Sequence, residues 1–457
     1  MKKFKLFNYI LPSVISMVIV GTYTNIDGLF IGNRAGDDGL AAINIAWPIV
    51  AFITSLGSGL GVGAAVVING LRGKNEYALA EKVKPAALWL PIAGGAAATI
   101  FCLLVYSPLL TLLGAEGIVK TYAENYSLVI SLGAIFQVIG ASAVVLLRNE
   151  GKTYSALIYT ATGLAVHVAL DFLTVKKFAL YGVAAATVVS QAVVAALSLF
   201  SLLRRGDKSA KTPSAQECSD KEKSPSAQKC SNKEKSPSAQ ECSDKEKSPR
   251  FALLVLKNSV APFGLNFVPS MVLTFTNFFA LKTGGTTAVG AYAVMSYVLY
   301  TYDYVFQGVC DGAQPVFSYY RGANDMREER NTLYKTIITM TALSVAFVAL
   351  TPVAIIFLPD VFAVSAEAAQ MIKTGFIIYA FAYPLKAAVK FICAYAYSTG
   401  KVALSNIITF LDPFLFTPLS LLVLAPTGTS GIWAALPVSQ LLTLISAGVI
   451  HLIHSHR

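Results

Sequence analysis

Three ionisable side chains lie within strongly apolar stretches of the first half of the chain. Asp27 follows Thr24 and Asn25, and His167 and Asp171 are four residues apart. Residues at this spacing share one helix face, so the imidazole and the second carboxylate should be neighbours. Carboxylates beside an imidazole can bind a proton or Na⁺, and ionisable groups within a membrane are candidates for a functional role. The pattern predicts a cation-binding site.

Each of these side chains also has a structural interpretation. Asp27 could cap a helix or face water at the end of its span, and Asp171 could pair with Lys176 or Lys177. His167 could be a neutral histidine whose ring bonds to a backbone carbonyl. The sequence leaves these alternatives open.

Further polar side chains interrupt the apolar runs. Thr187 and Gln191 share a helix face by the same spacing, and Thr187 could add an oxygen to the cation site. The candidates for a substrate cavity are Asn25, Gln191, Asn277, Tyr300, Gln314 and Lys390.

Two lysines share one face of an apolar run in the second half, Lys386 and Lys390. An unpaired lysine at the centre of a bilayer costs about 2.5–3.5 kcal/mol on insertion scales, and an ion pair lowers this cost. We predict a structural pair between Lys390 and Asp412, with contact to a substrate as the alternative. Asp303 and Asp311 lie in a different run.

Composition and patterning indicate the elements that must position these groups. The 457 residues are 55% hydrophobic and 13% charged, whereas soluble chains carry about 25% charged residues. Continuous apolar runs favour helices over the alternating strands of a barrel. The prediction is an all-α polytopic membrane protein with twelve transmembrane helices, at about 8–32, 40–70, 86–106, 122–147, 154–175, 182–203, 251–280, 287–319, 335–357, 370–398, 402–424 and 431–453.

The two halves of the chain match each other at a constant offset of 249 residues. The matched stretches are 72–75 with 321–324, 151–152 with 400–401, 182–186 with 431–435, and 190–191 with 439–440. Because many of the paired residues are polar or glycine, shared apolar composition does not explain the matches. An even number of spans per half predicts two parallel six-helix repeats, residues 1–203 and 251–457, with the substrate pathway between them.

A polar segment, residues 204–250, separates the two repeats. It contains three near-identical twelve-residue units, at 213–224, 225–236 and 237–248. Such a composition cannot bury enough apolar surface to fold, so we predict a disordered cytoplasmic linker. Its three cysteines have no metal-ligand spacing.

The distribution of Lys and Arg predicts the topology. These residues concentrate in the loops on the side that would hold both termini, which places both termini in the cytoplasm and the chain in the inner membrane. The net charge of +11 then reflects topology and contact with lipid headgroups. We expect a monomer that contacts the lipid bilayer and a small-molecule substrate, with no nucleic-acid partner.

Several stretches resemble the multidrug and toxic compound extrusion (MATE) family. They are NIDGLFIGNRAGDDGLAAINIAWP (25–48), LLRNEGKTYSAL (146–157), LYGVAAATVVSQ (180–191) and GAQPVFSYYRGAN (312–324), of which the last is the most specific. The resemblance implies a cation site made by Asp27, His167, Asp171 and Thr187. Where the family pattern has Asn, this chain has His167, which favours H⁺ over Na⁺ because an imidazole takes a proton.

The resemblance implies a secondary active transporter rather than an enzyme. It would couple entry of a cation, H⁺ in preference to Na⁺, to export of amphipathic or cationic organic compounds by alternating access. We expect no cofactor beyond the coupling ion and no metal site, apart from possible Na⁺ binding at Asp27 and Asp171. The alternative is a flippase for a lipid-linked oligosaccharide in the same superfamily, for which Lys386 and Lys390 would contact pyrophosphate.

Overall fold

The computed structural model describes residues 4–204, 248–362 and 364–455, except for the side chains of 24–25, 32–33, 37, 248–249, 286 and 451–455. This part of the chain is helical and contains no strand, which confirms the all-α prediction. The helices are α1 (Phe7–Gly73), α2 (Tyr77–Leu112), α3 (Gly117–Leu132), α4 (Ala134–Asn149), α5 (Thr153–Leu203), α6 (Ser248–Gly322), α7 (Met326–Val361), α8 (Ala366–Ser398), α9 (Val402–Leu411), α10 (Thr417–Leu424) and α11 (Thr429–Ser455). The predicted linker falls almost entirely outside the described residues.

Many of these helices are long and apolar enough to cross a membrane. Within the described residues there are 9 such segments, or 10 if the bent pair α3 and α4, at 58° to each other, forms one span. Helix α5 has 51 residues, more than twice the length that about 30 Å of hydrocarbon requires. The predicted count of twelve therefore depends on how the longest helices divide, and it stays a prediction.

Each of the three longest helices contains a single break in its backbone. Helix α1 breaks at Gly36 (φ 61°), α5 at Ala179 (φ 46°) and α6 at Gly285 (φ 64°). A positive φ is accessible to glycine because it lacks Cβ, so two of the breaks carry little strain. These breaks, rather than Pro12 or Pro262 inside the helices, divide the elements.

The backbone breaks recur at the offset that relates the sequence matches. Gly36 and Gly285 are 249 residues apart, and so are Ala179 and Gly428, which also has a positive φ. Further pairs with positive φ at this spacing are Asn75 with Asn324 and Gly151 with Gly400. The two halves therefore turn their chains at corresponding positions.

The ends of α1 and α6 cross at two glycines. A Cβ added to Gly73 would clash with the carbonyl oxygen of Tyr319, and one added to Gly322 would clash with that of Gly70. Small residues let helix backbones approach this closely. The C-terminal ends of α1 and α6, which occupy corresponding positions in the two halves, are thus in direct backbone contact.

Substitution of Gly322 by alanine is expected to force this crossing apart. Because the clash is with backbone, which cannot rotate away, we expect the free energy of unfolding to fall by about 1–3 kcal/mol, the usual cost of overpacking. Gly70→Ala is the matched control, since a Cβ there would meet no atom within 4 Å. Equal melting temperatures of the two purified variants in detergent would contradict the structural importance of the crossing.

Candidate functional site

A cavity lies between the two halves of the molecule, and side chains from both halves line it. From the first half come Asp27, Trp47, Tyr126 and Arg148, and the second half contributes residues of α6 and α8. The lining side chains from the second half include Asn266, Tyr300, Asp303, Tyr304, Gln307 and Lys390. Ligand sites of transporters with repeated halves form at such an interface.

An acid cluster, Asp27, His167 and Asp171, borders the cavity on the side formed by the first half of the chain. Asp27 lines the cavity, and the other two residues lie behind it. The Nε2 atom of His167 is 2.8 Å from Oδ1 of Asp27 and 3.2 Å from Oδ2 of Asp171. The hydroxyl of Thr187 is 3.3 Å from the same nitrogen. Helices α1 and α5 thus bring together the four residues predicted for the cation site.

Two tyrosines complete the surroundings of the acid cluster. Tyr126 of α3 donates a hydrogen bond of 3.0 Å to Oδ2 of Asp27. The ring of Tyr23 stacks on the imidazole of His167, with the ring centroids 4.8 Å apart. These contacts hold the carboxylate of Asp27 and the ring plane of His167 in place. Neither tyrosine was among the residues predicted from the sequence.

The burial of the cluster excludes two of the structural interpretations. The side chain of Asp27 is 4% exposed, so it does not face water at the end of its span. Asp171 is fully buried and contacts His167, while no ion pair joins it to Lys176 or Lys177 within the described residues.

The cluster has fewer hydrogen-bond donors than its carboxylates can use. Neither oxygen of Asp171 accepts a hydrogen bond of normal geometry from the described residues, and Nδ1 of His167 is also without a partner there. A neutral imidazole protonated at Nε2 has one N–H to offer two carboxylates. Buried carboxylates without donors are unstable unless a cation or a proton joins them. The two carboxylates of the cluster therefore retain unused hydrogen-bonding capacity among the described residues.

The predicted pair between Lys390 and Asp412 is wrong. Lys390 instead lies 3.2 Å from Oδ1 of Asp303 and donates a 3.1 Å hydrogen bond to the backbone oxygen of that residue. Lys386 lies 3.1 Å from the same carboxylate oxygen. Asp412 opens a π-helical turn, Asp412–Phe416, and accepts hydrogen bonds from Thr417 and Gln440. Asp412 thus faces Gln440 of α11 rather than the lysines of α8.

The candidates for the substrate cavity divide into two groups. Gln191, Tyr300 and Lys390 line the cavity. Gln314 lies outside it and donates a hydrogen bond to Ser318, and Asn277 is also absent from the lining. The side chain of Asn25 lies outside the description.

A buried ion pair joins the two halves next to the cavity. Arg148 of α4 lies 3.2 Å from Oδ2 of Asp311 in α6, and both side chains are 2% exposed. Gln307 donates to the other oxygen of Asp311 at 2.8 Å. Arg148 follows an apolar run directly, so its position in the sequence suggested a loop rather than a buried contact.

A family model for MatE matches residues 12–173 and 263–422, which together are more than half of the chain. The chain belongs to the MatE family. The match omits the predicted linker and covers the residues that line the cavity except Thr187, Gln191 and Val194. It confirms the resemblance to MATE proteins.

The curated relatives of this chain share less than a quarter of its residues over the aligned region. The multidrug export protein MepA of Staphylococcus aureus strain MRSA252 is 24% identical over 204 residues, which is 44% of this chain and 45% of that protein. MepA of Staphylococcus saprophyticus is 22% identical over the same length. The aligned region thus spans less than half the length of these relatives.

Solved structures show the same fold over nearly the full length. A MOP superfamily transporter from Pyrococcus furiosus superposes with a TM-score of 0.82 at 19% identity, covering 98% of this chain and 95% of that one. The MATE multidrug transporter DinF-BH gives a TM-score of 0.81 at 24% identity, covering 97% and 94%. At sequence identities below 25%, the likeness to these structures shows a shared fold.

Proposed function

We propose that this protein is a proton-coupled antiporter that exports amphipathic organic compounds by alternating access. It would lie in the inner membrane with both termini in the cytoplasm. Membership of the MatE family supports a transporter, and the names of MepA and DinF-BH support export of organic compounds. The observation that carries the coupling is the donor-poor, buried acid cluster beside the cavity.

The position of His167 favours a proton over Na⁺. The ligand atoms of the acid cluster all lie within 4.8 Å of one another, which is close enough to surround an ion. However, Nε2 of His167 already lies between the two carboxylates, and hard cations prefer oxygen ligands to imidazole nitrogen. A proton on the imidazole would instead create a cation that contacts both acids.

Coupling requires the proton to stabilise one facing state more than the other. Without the proton, the two carboxylates would repel each other across the neutral imidazole and draw in water from the cavity. With it, the imidazolium draws Asp27 of α1 towards Asp171 of α5. Protonation would thereby shift the packing of the part of α1 before Gly36, where a Cβ added to Gly21 would clash with the ring of Tyr304 in α6. This contact would transmit the effect of protonation to the interface between the halves.

The proposed architecture is twelve spans in two parallel six-helix repeats. Dividing α1, α5 and α6 at their backbone breaks, joining α3 to α4, and joining α9 to α10 through the π turn between them gives this number. The recurrence of positive φ at the offset of 249 residues supports the repeat. Rocking of the halves about the cavity would then change its access.

The flippase alternative receives less support from the cavity. A lipid pyrophosphate carries several negative charges and requires several free basic groups. Arg148 is paired with Asp311, and the two lysines share Asp303. We therefore favour a smaller solute.

Transport assays in proteoliposomes test the proposed function. Purified protein would be reconstituted with an amphipathic dye, and pH and Na⁺ gradients would be imposed separately. The proposal expects dye movement to follow the pH gradient, with proton movement in the opposite direction. Dye movement driven by Na⁺ at uniform pH, or by neither gradient, would contradict it.

Substitution of His167 by asparagine is expected to change the coupling ion. An amide oxygen can coordinate Na⁺ but cannot take the proton, so proton-driven efflux should fall by at least about tenfold and Na⁺-driven efflux should appear. Efflux under each gradient provides the measurement. His454 lies outside the cluster in sequence, and His454→Asn serves as the control. Unchanged proton coupling in His167→Asn would exclude the imidazole as the proton carrier.

A further inference from the structure

A lysine pair, Lys386 and Lys390, marks a second charged cluster on the opposite side of the cavity from the acid cluster. The two ammonium groups lie 3.1 Å and 3.2 Å from a single oxygen of Asp303. The side chains of Lys390 and Asp303 are 7% and 8% exposed, and both residues line the cavity. The lysine pair therefore holds two positive charges against one negative charge.

The remaining acids on this side make other contacts. Asp311 is paired with Arg148 and bonded by Gln307, and the two oxygens of Asp412 accept from Thr417 and Gln440. No described acid other than Asp303 forms an ion pair with either lysine. A buried charge in excess is costly, and in membrane proteins such a charge often marks the path of a substrate.

Two further hydrogen-bond donors face this part of the cavity. Trp47 and Tyr300 line it with their rings in edge contact, 6.0 Å between centroids. Neither the indole nitrogen nor the phenol oxygen forms a hydrogen bond of normal geometry with the described residues, although both atoms are buried. Positive charge, unused donors and aromatic surface together suit an acceptor group attached to an aromatic body.

We propose that the exported compound carries an anionic group, such as a carboxylate on an aromatic body, which docks at the lysine pair. This inference rests on the proposed function and narrows its substrate class. It narrows the sequence-based expectation of amphipathic or cationic compounds to amphipathic compounds that carry an anionic group. The single excess charge matches one carboxylate.

A matched pair of dyes tests the preference directly. One dye is a rhodamine with a free carboxylate, and the other is the ethyl ester of the same rhodamine, so the two share one cationic aromatic body. Binding to purified protein would be measured by fluorescence anisotropy, which needs no gradient. The free acid is expected to bind at least about tenfold more tightly than the ester, the effect of a hydrogen bond to a charged group.

Substitutions of Lys386 test whether the lysine pair causes the preference for the free acid over the ester. Lys386→Gln leaves Lys390 to neutralise Asp303, so the ratio of the two affinities should fall to about one. Lys386→Arg should keep the ratio, and Lys282→Gln, at an exposed position on another helix, should leave it unchanged. Loss of the ratio in Lys386→Gln alone supports the proposal.

Binding of the two dyes to the wild-type protein alone can contradict the proposal, so the test does not depend on whether a variant folds. Equal or tighter binding of the ester, or binding of neither dye, would exclude an anionic docking site, as would a full preference for the acid in Lys386→Gln. Preferred binding of the acid without gradient-driven efflux would instead support the docking site and contradict the antiporter function. The two failures are therefore distinguishable.

Discussion

Replacement of Asp27 by asparagine is expected to reduce proton-driven efflux by at least about 100-fold. The carboxylate lies 2.8 Å from His167 and is almost fully buried. Removing one partner of a buried pair costs about 3–5 kcal/mol, which corresponds to more than about 100-fold in the binding constant for the proton. Efflux under an imposed pH gradient, in proteoliposomes with matched protein content, measures the effect.

A second acid provides the control for this prediction. Asp38 lies in the same helix but is exposed, and Asp38→Asn removes the same charge without touching the cluster. We expect near-normal efflux from it. Dye binding in Asp27→Asn should persist, because the lysine pair lies elsewhere in the cavity. Normal proton-driven efflux in Asp27→Asn would remove this residue from the coupling mechanism.

The largest expected effect on stability comes from Arg148→Gln. This change leaves Asp311 buried with only Gln307 as a hydrogen-bond donor. An unpaired buried charge destabilises a protein by about 3–5 kcal/mol. We expect a clear fall in the melting temperature of the purified protein in detergent, together with weaker association of the two halves.

The double variant Arg148→Gln/Asp311→Asn separates charge from packing. It removes both charges and replaces them with amides that can bond to each other, so most of the lost stability should return. Arg330→Gln is the control, since this arginine contacts the ring of Tyr334 near the end of α7 and forms no ion pair within the described residues. A double variant as unstable as the single one would show that the ion pair is not the source of the stability.

The sequence by itself was sufficient to predict the helical class and the proximity of His167 to Asp171. Continuous apolar runs have few structural solutions in lipid, because every backbone polar group must be bonded within its own segment. His167 and Asp171 could be placed together because the four-residue spacing fixes their relative position on one helix. The 249-residue offset predicted two repeated halves, and positive φ values recur at the same spacing.

Contacts between distant helices could not be predicted in this way. Which acid a lysine meets depends on the rotation and tilt of both helices, and a run of apolar residues constrains neither. Asp412 contacts Gln440 of α11 at the start of the π turn, whereas the lysines contact Asp303 of α6. Tyr126 offers no local signal that distinguishes it from an aromatic residue at a membrane interface.

The sequence therefore determined which ionisable residues enter the apolar interior and which of them share a helix face, since both follow from local composition and the helical repeat. The tertiary structure decided the partners: Asp27 with His167, Arg148 with Asp311, and both lysines with Asp303. These pairs join helices that are far apart in the chain, and only the packing of the whole bundle sets the distance between their side chains.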